Sequence, residues 1–226
     1  MIGGPHLFYL KRFVHLEHTY RGKMLDFARS LALSVGDTMP GLVHVEGNYF
    51  TMGPDGDTPA RRVWVDAFEI GAYQVTNAEY AEFQAPPLAI DARFNHPDQP
   101  VVAVSWWDAM EYCKWRGLRL PTEKEWEYAA RGGLQGKLYP WGDELPQRTT
   151  LESPMRVGLG EPNGFGLYDM CTNVHEWCSD LFNTMRRASR GGSWRHQINV
   201  TRCAARSSLP PELRYNDYGF RIARSI

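Results

Sequence analysis

The sequence predicts an α+β domain low in regular secondary structure, preceded by a helical extension. Three observations lead there. The domain opens on a run of alternating apolar and polar residues, the period of half-buried strands. Three helix starts of one chemistry follow. Beyond residue 133 helical periodicity stops, and the chain becomes turns, short strands and aromatic punctuation.

The extension comes first. Leu7, Leu10, Phe13 and Val14 fall on one helical face, and Met24, Leu25, Ala28, Leu31 and Ala32 repeat the pattern beyond Arg21-Gly22-Lys23. These helices would cap the domain or dock a partner. His15 and His18 flank Glu17 one turn apart, either as part of a metal site or as a solvated helix face; no further ligand converges on them in the sequence. Residues 36–41 read as a linker, giving a helical extension over 1–38 and a second domain over 39–226. Residues 42–53 alternate like a strand pair around the turn Gly47-Asn48, and residues 62–70 read as a further strand. Thr76 precedes Glu79, Ser105 precedes Asp108 and Thr122 precedes Glu125, the spacing at which two side chains cap each other's backbone N–H groups. They start helices over 77–84, 105–116 and 122–131, the latter two closed by Gly117 and Gly132-Gly133.

Composition narrows the function classes. Hydrophobic residues are 43% and charged residues 23% of the 226, ordinary for a globular protein able to bury a real core. The net charge of -1 gives no electrostatic case for nucleic acid or a membrane surface. No apolar run reaches membrane-spanning length. The first twelve residues lack the basic start, apolar stretch and cleavage site of a signal peptide. The four cysteines, Cys113, Cys171, Cys178 and Cys203, are not spaced as zinc ligands. They read as reduced thiols of a cytoplasmic protein; two disulfides, and export by another route, stay open. Eight Trp, eleven Tyr and ten Phe supply buried area and good binding surfaces.

The motifs, in order, are Gly47-Asn48-Tyr49-Phe50-Thr51-Met52-Gly53, Tyr73-Gln74-Val75-Thr76-Asn77, Arg119-Leu120-Pro121-Thr122-Glu123-Lys124-Glu125-Trp126, Tyr139-Pro140-Trp141-Gly142, Asn163-Gly164-Phe165-Gly166-Leu167-Tyr168-Asp169-Met170, Asn173-Val174-His175-Glu176-Trp177, Arg190-Gly191-Gly192-Ser193-Trp194, Cys203-Ala204-Ala205-Arg206 and Gly219-Phe220-Arg221. In this sequence and order, residues 41–226 resemble the formylglycine-generating-enzyme (sulfatase-modifying factor) domain family, a variant of the C-type lectin fold. The resemblance implies that fold. It also implies an oxidase whose two cysteines after Gly-Gly-Ser-aromatic hold copper(I), a soft ion suited to thiolates. Here those positions fall on His196 and Thr201, so oxidase activity and copper are not expected. Secreted relatives pair the position of Cys113 with that of Ile222, and that of Cys203 with that of Ala130; neither partner is a cysteine here. A family calcium site would use the side chains of Asp169 and Glu176 with the carbonyls of Thr172 and Val174, oxygen donors suited to Ca²⁺ or Mg²⁺. The same residues read equally as a hydrogen-bonded turn, and no cofactor is required.

The tail also resembles the variable region of proteins served by diversity-generating retroelements. Such elements mutate template adenines, often in AAC codons, giving NNC codons that never encode Lys, Glu, Gln, Met or Trp. Four blocks over about 195–218 qualify: Arg195 and His196; Ile198, Asn199, Val200 and Thr201; Ser207, Ser208, Leu209 and Pro210; Tyr215, Asn216, Asp217 and Tyr218. All fourteen residues are NNC-encodable, an outcome that chance gives about one time in twenty. The mix of Tyr, Arg, Asn, Ser, His and Asp suits a paratope, with Tyr215 and Tyr218 as anchors and Arg195 and His196 as polar contacts. The alternative for Tyr218 and Leu209 is packing beside Trp194. The expected function is a non-catalytic, receptor-like ligand-binding protein whose partner is a protein or other macromolecule. The alternatives are a divergent oxidase of the family and a catalytically dead maturation or partner-binding subunit.

Overall fold

The chain ends of the domain meet in one small sheet, and two further sheets hang from it. A computed structural model describes residues 41–83, 85, 88, 90–145 and 151–226. These belong to one unit, Pro40–Ile226. The expected N-terminal helices, with His15, Glu17 and His18, lie outside the described residues.

In the first sheet β4 (Phe68–Gly71) runs antiparallel between β1 (Leu42–Val45) and β9 (Ala223–Ser225). The second pairs β2 (Asn48–Met52) with β3 (Arg61–Val65). The third has the order β7-β6-β5-β8, from β5 (His175–Asn183), β6 (Arg186–Arg190), β7 (Arg206–Leu209) and β8 (Tyr218–Gly219). Among the described residues only β5 and β8 pair in parallel.

Two strand expectations are corrected. Residues 42–53 are not a hairpin: β1 pairs with β4, and β2 with β3. Gly47 marks the crossing between sheets, where a Cβ would sit 2.8 Å from the Ala67 nitrogen, so close approach rather than a turn demands glycine. Residues 62–70 likewise divide at Asp66-Ala67 into strands of two different sheets.

Among the described residues the α-helices are α1 (Asn77–Ala81), α2 (Trp106–Trp115) and α3 (Glu123–Arg131). All three begin with reciprocal capping boxes, on Thr76 and Glu79, Ser105 and Asp108, and Thr122 and Glu125. Each N-cap contributes about 1 kcal/mol. α3 ends on left-handed Gly132, with φ of 55°. α1 stops before the expected residue 84; Pro86 and Pro87 just beyond it oppose helix.

Two main clusters fill the interior. Trp126, Leu167, Met170, Phe68 and Ile70 join the sheets to α3. Trp177, Phe220, Tyr112, Tyr80 and Tyr218 join α1 and α2 to the third sheet. Fully burying one such side chain contributes about 2–3 kcal/mol.

Candidate functional site

Two short segments bracket one face of the third sheet. The first leaves β6 through Gly191 and Gly192, with φ of 96° and 75°. A Cβ on Gly192 would lie 2.4 Å from the Thr201 methyl carbon, so glycine is required twice over. The second, Gly219-Phe220-Arg221, follows β8. A Cβ on Gly219 would lie 2.5 Å from the Val101 carbonyl oxygen. Arg221 is fully buried; its Nε and NH2 donate to Glu176 at 2.6 and 2.9 Å, and its remaining N–H groups reach the carbonyls of Gly71, Ala72 and Tyr168.

Between the brackets the block 202–206 is held from below. Arg206 makes a bidentate pair with Glu123 at 2.8 and 2.6 Å. That contact holds its guanidinium pKa above the ordinary value. The Cys203 N–H donates to the Leu138 carbonyl at 2.8 Å, and Arg202 meets Asp55 at 3.4 Å. Arg190, fully buried, donates to the carbonyls of Ala204 and Ala205 and to Glu127. Glu127 in turn holds Arg131. The result is an alternating series of charges beneath the block.

Over this frame lies a pocket of about 440 Å³. Eight of the fourteen block positions line it: Arg195, His196, Val200, Ser207, Leu209, Tyr215, Asp217 and Tyr218. The other six do not. Asn199 is exposed, whereas Ser208, Pro210 and Asn216 are half-buried. Ile198 and Thr201 are buried, and the Thr201 hydroxyl donates to the Ile198 carbonyl at 3.0 Å, closing a turn. The two tyrosines differ: Tyr215 is 45% exposed and Tyr218 6%. Tyr218 and Leu209 pack in the cluster of Trp177, while Trp194 sits apart with Phe94 and Val174. Packing beside Trp194 is therefore corrected to packing beside Trp177, where the Tyr218 ring is 5.1 Å from the indole. Burial raises the Tyr218 pKa, opposed by hydrogen bonds from Ser189 and Ser207.

Sequence reasoning missed the pocket floor. His175 lines it, 7% exposed, stacked on Tyr218 at 4.6 Å and edge-on to His196 at 5.1 Å. Burial, and then His196, lower its pKa to about 3, so the ring is neutral at ordinary pH. Ser193, at the foot of the first bracket, donates its hydroxyl to Asp217 at 3.0 Å and its N–H to His196 Nδ1 at 3.2 Å. The available signal was a histidine inside a strand motif whose neighbours, Val174 and Glu176, are core residues.

The pocket holds no thiol among the described residues. Cys113, Cys171, Cys178 and Cys203 are all free and buried. Cys203 faces Cys171, with sulfurs 3.7 Å apart. Burial raises the pKa of Cys171, and contact with Cys203 raises it further.

The four positions of the calcium expectation run from a bend at Asp169, Thr172 and Val174 into strand β5 at Glu176. Asp169, Cys171 and Asn173 all take positive φ, between 59° and 69°. Glu176 is fully buried, and its carboxylate accepts from Gln74 at 2.7 Å and Trp126 at 2.6 Å besides the two bonds from Arg221. Asp169 accepts from the Gly158 N–H at 2.7 Å, and Asn173 bonds both backbone groups of Met155. A carboxylate filled by four N–H donors, two of them from a guanidinium, does not fit a divalent cation. Among the described residues no cluster of three or more His, Cys, Asp or Glu could hold a metal.

The Sulfatase-modifying factor enzyme 1-like domain family matches residues 31–226. The chain belongs to this family. It is 33% identical to the formylglycine-generating enzyme of Bos taurus, over 80% of this chain and 74% of that protein. It is 32% identical to the Inactive C-alpha-formylglycine-generating enzyme 2 of Mus musculus, over 82% and 86%. In structure it is similar to Treponema denticola variable protein 1, with a TM-score of 0.67 at 21% identity, over 85% of this chain and 97% of that one. The domain thus has the C-type lectin fold of the formylglycine-generating type. Among the described residues no helix is long and apolar enough to cross a membrane.

Proposed function

We propose that this family member is a non-catalytic, receptor-like ligand-binding protein, with a diversified surface on the lectin-type scaffold. One observation carries the reading: eight of the fourteen NNC-encodable positions, drawn from all four blocks, line one pocket. Family membership leaves catalysis open, since relatives carry both active and inactive enzyme names. The residues at the two thiol positions favour this reading over the oxidase: His196 lines the pocket and Thr201 is buried in a turn. The fold shared with a protein named as variable supports a scaffold that tolerates such a surface. The partner is a protein or other macromolecule, and neither copper nor a divalent ion is needed. The thiols suit a reducing compartment such as the cytoplasm, and the helical extension expected from the sequence would dock a partner or cap the domain.

Genomic sequencing tests this. A nearby reverse transcriptase and an AAC-rich near-copy of the DNA encoding residues 195–221 are expected. Codons for Lys, Glu or Met at the fourteen sites in close relatives refute it. The oxidase alternative predicts conversion of a cysteine-containing sulfatase peptide to the aldehyde by purified protein with copper(I), oxygen and reductant; no conversion is expected.

A further inference from the structure

We infer that in this chain the pocket floor is a subsite for a carboxylate, in which His175, outside the proposed blocks, and His196 and Arg195, within them, receive an acidic side chain of a protein ligand. The inference rests on the pocket being the ligand-binding face. His175 lies outside the fourteen positions, so it stays while the rim changes.

The reasoning starts from unused hydrogen-bonding capacity. Neither ring nitrogen of His175 has a partner among the described residues, and Nδ1 is wholly enclosed. A neutral ring carries one N–H. An orphaned buried N–H costs more than an orphaned lone pair, so the proton sits on Nε2, the nitrogen that is not enclosed. It is a donor at the floor of the pocket. His196 has the same tautomer for a different reason: Ser193 donates to its Nδ1, which must therefore hold the lone pair. Both imidazoles thus offer N–H groups from adjoining rings.

The charges on the lining agree. Arg195 is exposed and holds only Asn216 Oδ1 and the face of Trp194, leaving further N–H groups. Arg206 is matched by Glu123. The Tyr218 hydroxyl is taken by Ser189 and Ser207. The one carboxylate on the lining, Asp217, is 6% exposed and already accepts from the Ser193 hydroxyl. An ammonium group would find only this oxygen pair; a carboxylate would find two imidazole donors and a guanidinium. Charge-assisted bonds of this kind are the strong ones.

The test uses the full chain labelled with ¹⁵N-histidine, its imidazole resonances followed near neutral pH at constant ionic strength. The probes are N-acetyl-glutamate amide, its glutamine analogue, acetate, inorganic phosphate and methylammonium. Saturable shifts at His175 Nε2 are expected with the glutamate compound and acetate, weaker by about tenfold with the glutamine analogue, and none with methylammonium. Arg195→Ala, at an exposed side chain, should weaken the glutamate compound by about tenfold, and His175→Phe should abolish its binding. Equal binding of the glutamine analogue, a response to phosphate alone, or unaltered affinity in Arg195→Ala overturns the subsite. If His175→Phe does not fold, Arg195→Ala decides. The genomic test is independent of these titrations, so failure of one reading is not failure of the other.

Discussion

Replacing Arg221 by leucine should be among the most damaging single changes in the domain. The residue is fully buried, as is Glu176, and the pair is joined through two bonds of 2.6 and 2.9 Å. Leucine leaves the Glu176 carboxylate with only Gln74 and Trp126 as donors. It also removes the guanidinium N–H groups from the carbonyls of Gly71, Ala72 and Tyr168, of which Ala72 keeps the Tyr168 N–H. Breaking a buried ion pair from one side costs about 3–5 kcal/mol, because the remaining charge stays desolvated. Taking about 4 kcal/mol, and about 2–4 °C per kcal/mol for a domain of this size, the midpoint should fall by about 8–16 °C. Thermal denaturation by circular dichroism, with urea titration alongside, measures this. Adding Glu176→Gln to Arg221→Leu should recover part of the loss, since a neutral amide is cheaper to bury than an unpaired charge. A loss below about 1 kcal/mol, the range of an ordinary substitution, or a double variant no better than the single, refutes the reasoning.

The same filled carboxylate predicts that chelation by EGTA, or added Ca²⁺, leaves the melting temperature unchanged; a calcium-dependent rise restores the divalent site. Burial pushes the Cys113 pKa up to about 12 and also raises those of Cys171 and Cys178. These three thiols should therefore resist Ellman's reagent in the folded protein and react on unfolding. His175 has a folded pKa of about 3 against an ordinary value near 6.5. The unfolded chain binds the proton first, so the contribution is full above about pH 6.5 and is lost as pH falls toward 3, by up to about 1.4 kcal/mol per unit. His175→Phe should flatten the acid limb of the stability profile, and an unchanged slope contradicts the neutral buried ring. Arg206→Ala should cost about 2 kcal/mol, discounted from a fully buried pair because the arginine is partly exposed, whereas Ser208→Ala two residues on should stay within about 0.5 kcal/mol. Urea midpoints of the two variants compare them directly.

The helices were legible because their signals are local. Thr76, Ser105 and Thr122 each find their partner three residues away. The strand partners were not legible. Residues 42–53 alternate as a hairpin would, yet β1 and β2 belong to different sheets, and nothing in alternation says which strand lies alongside. The proposed block positions rest on composition and motif order, which say nothing of their burial. Ile198 and Thr201 look like loop residues in sequence, and only the approach of Thr201 to Gly192 puts them inside. His175 was hidden because a histidine in a strand carries no sign of the face it occupies. Its role depends on Tyr218, 43 residues later, stacking over the ring.

Why residues 202–206 interrupt the blocks proposed as diversified follows from what each segment contributes. Strand β7 is bonded to β6 through its backbone, with Ser207 opposite Ser189 and Leu209 opposite Arg187. Backbone pairing survives a change of side chain, so positions 207–209 can vary without loss of register. The block before them is held differently. Arg206 neutralises Glu123, which is only 5% exposed and otherwise 3.9 Å from Arg190. Arg190 in turn neutralises Glu127, shared with Arg131. Removing one member leaves a desolvated charge, and the cost passes to the rest of the series. A scaffold can therefore carry a variable rim only where its own stability runs through main-chain bonds and buried charges away from that rim. The absence of a thiol at His196 follows the same division. A copper centre needs fixed donors at fixed distances, a demand that the exposed rim positions Arg195, Val200 and Tyr215 do not carry.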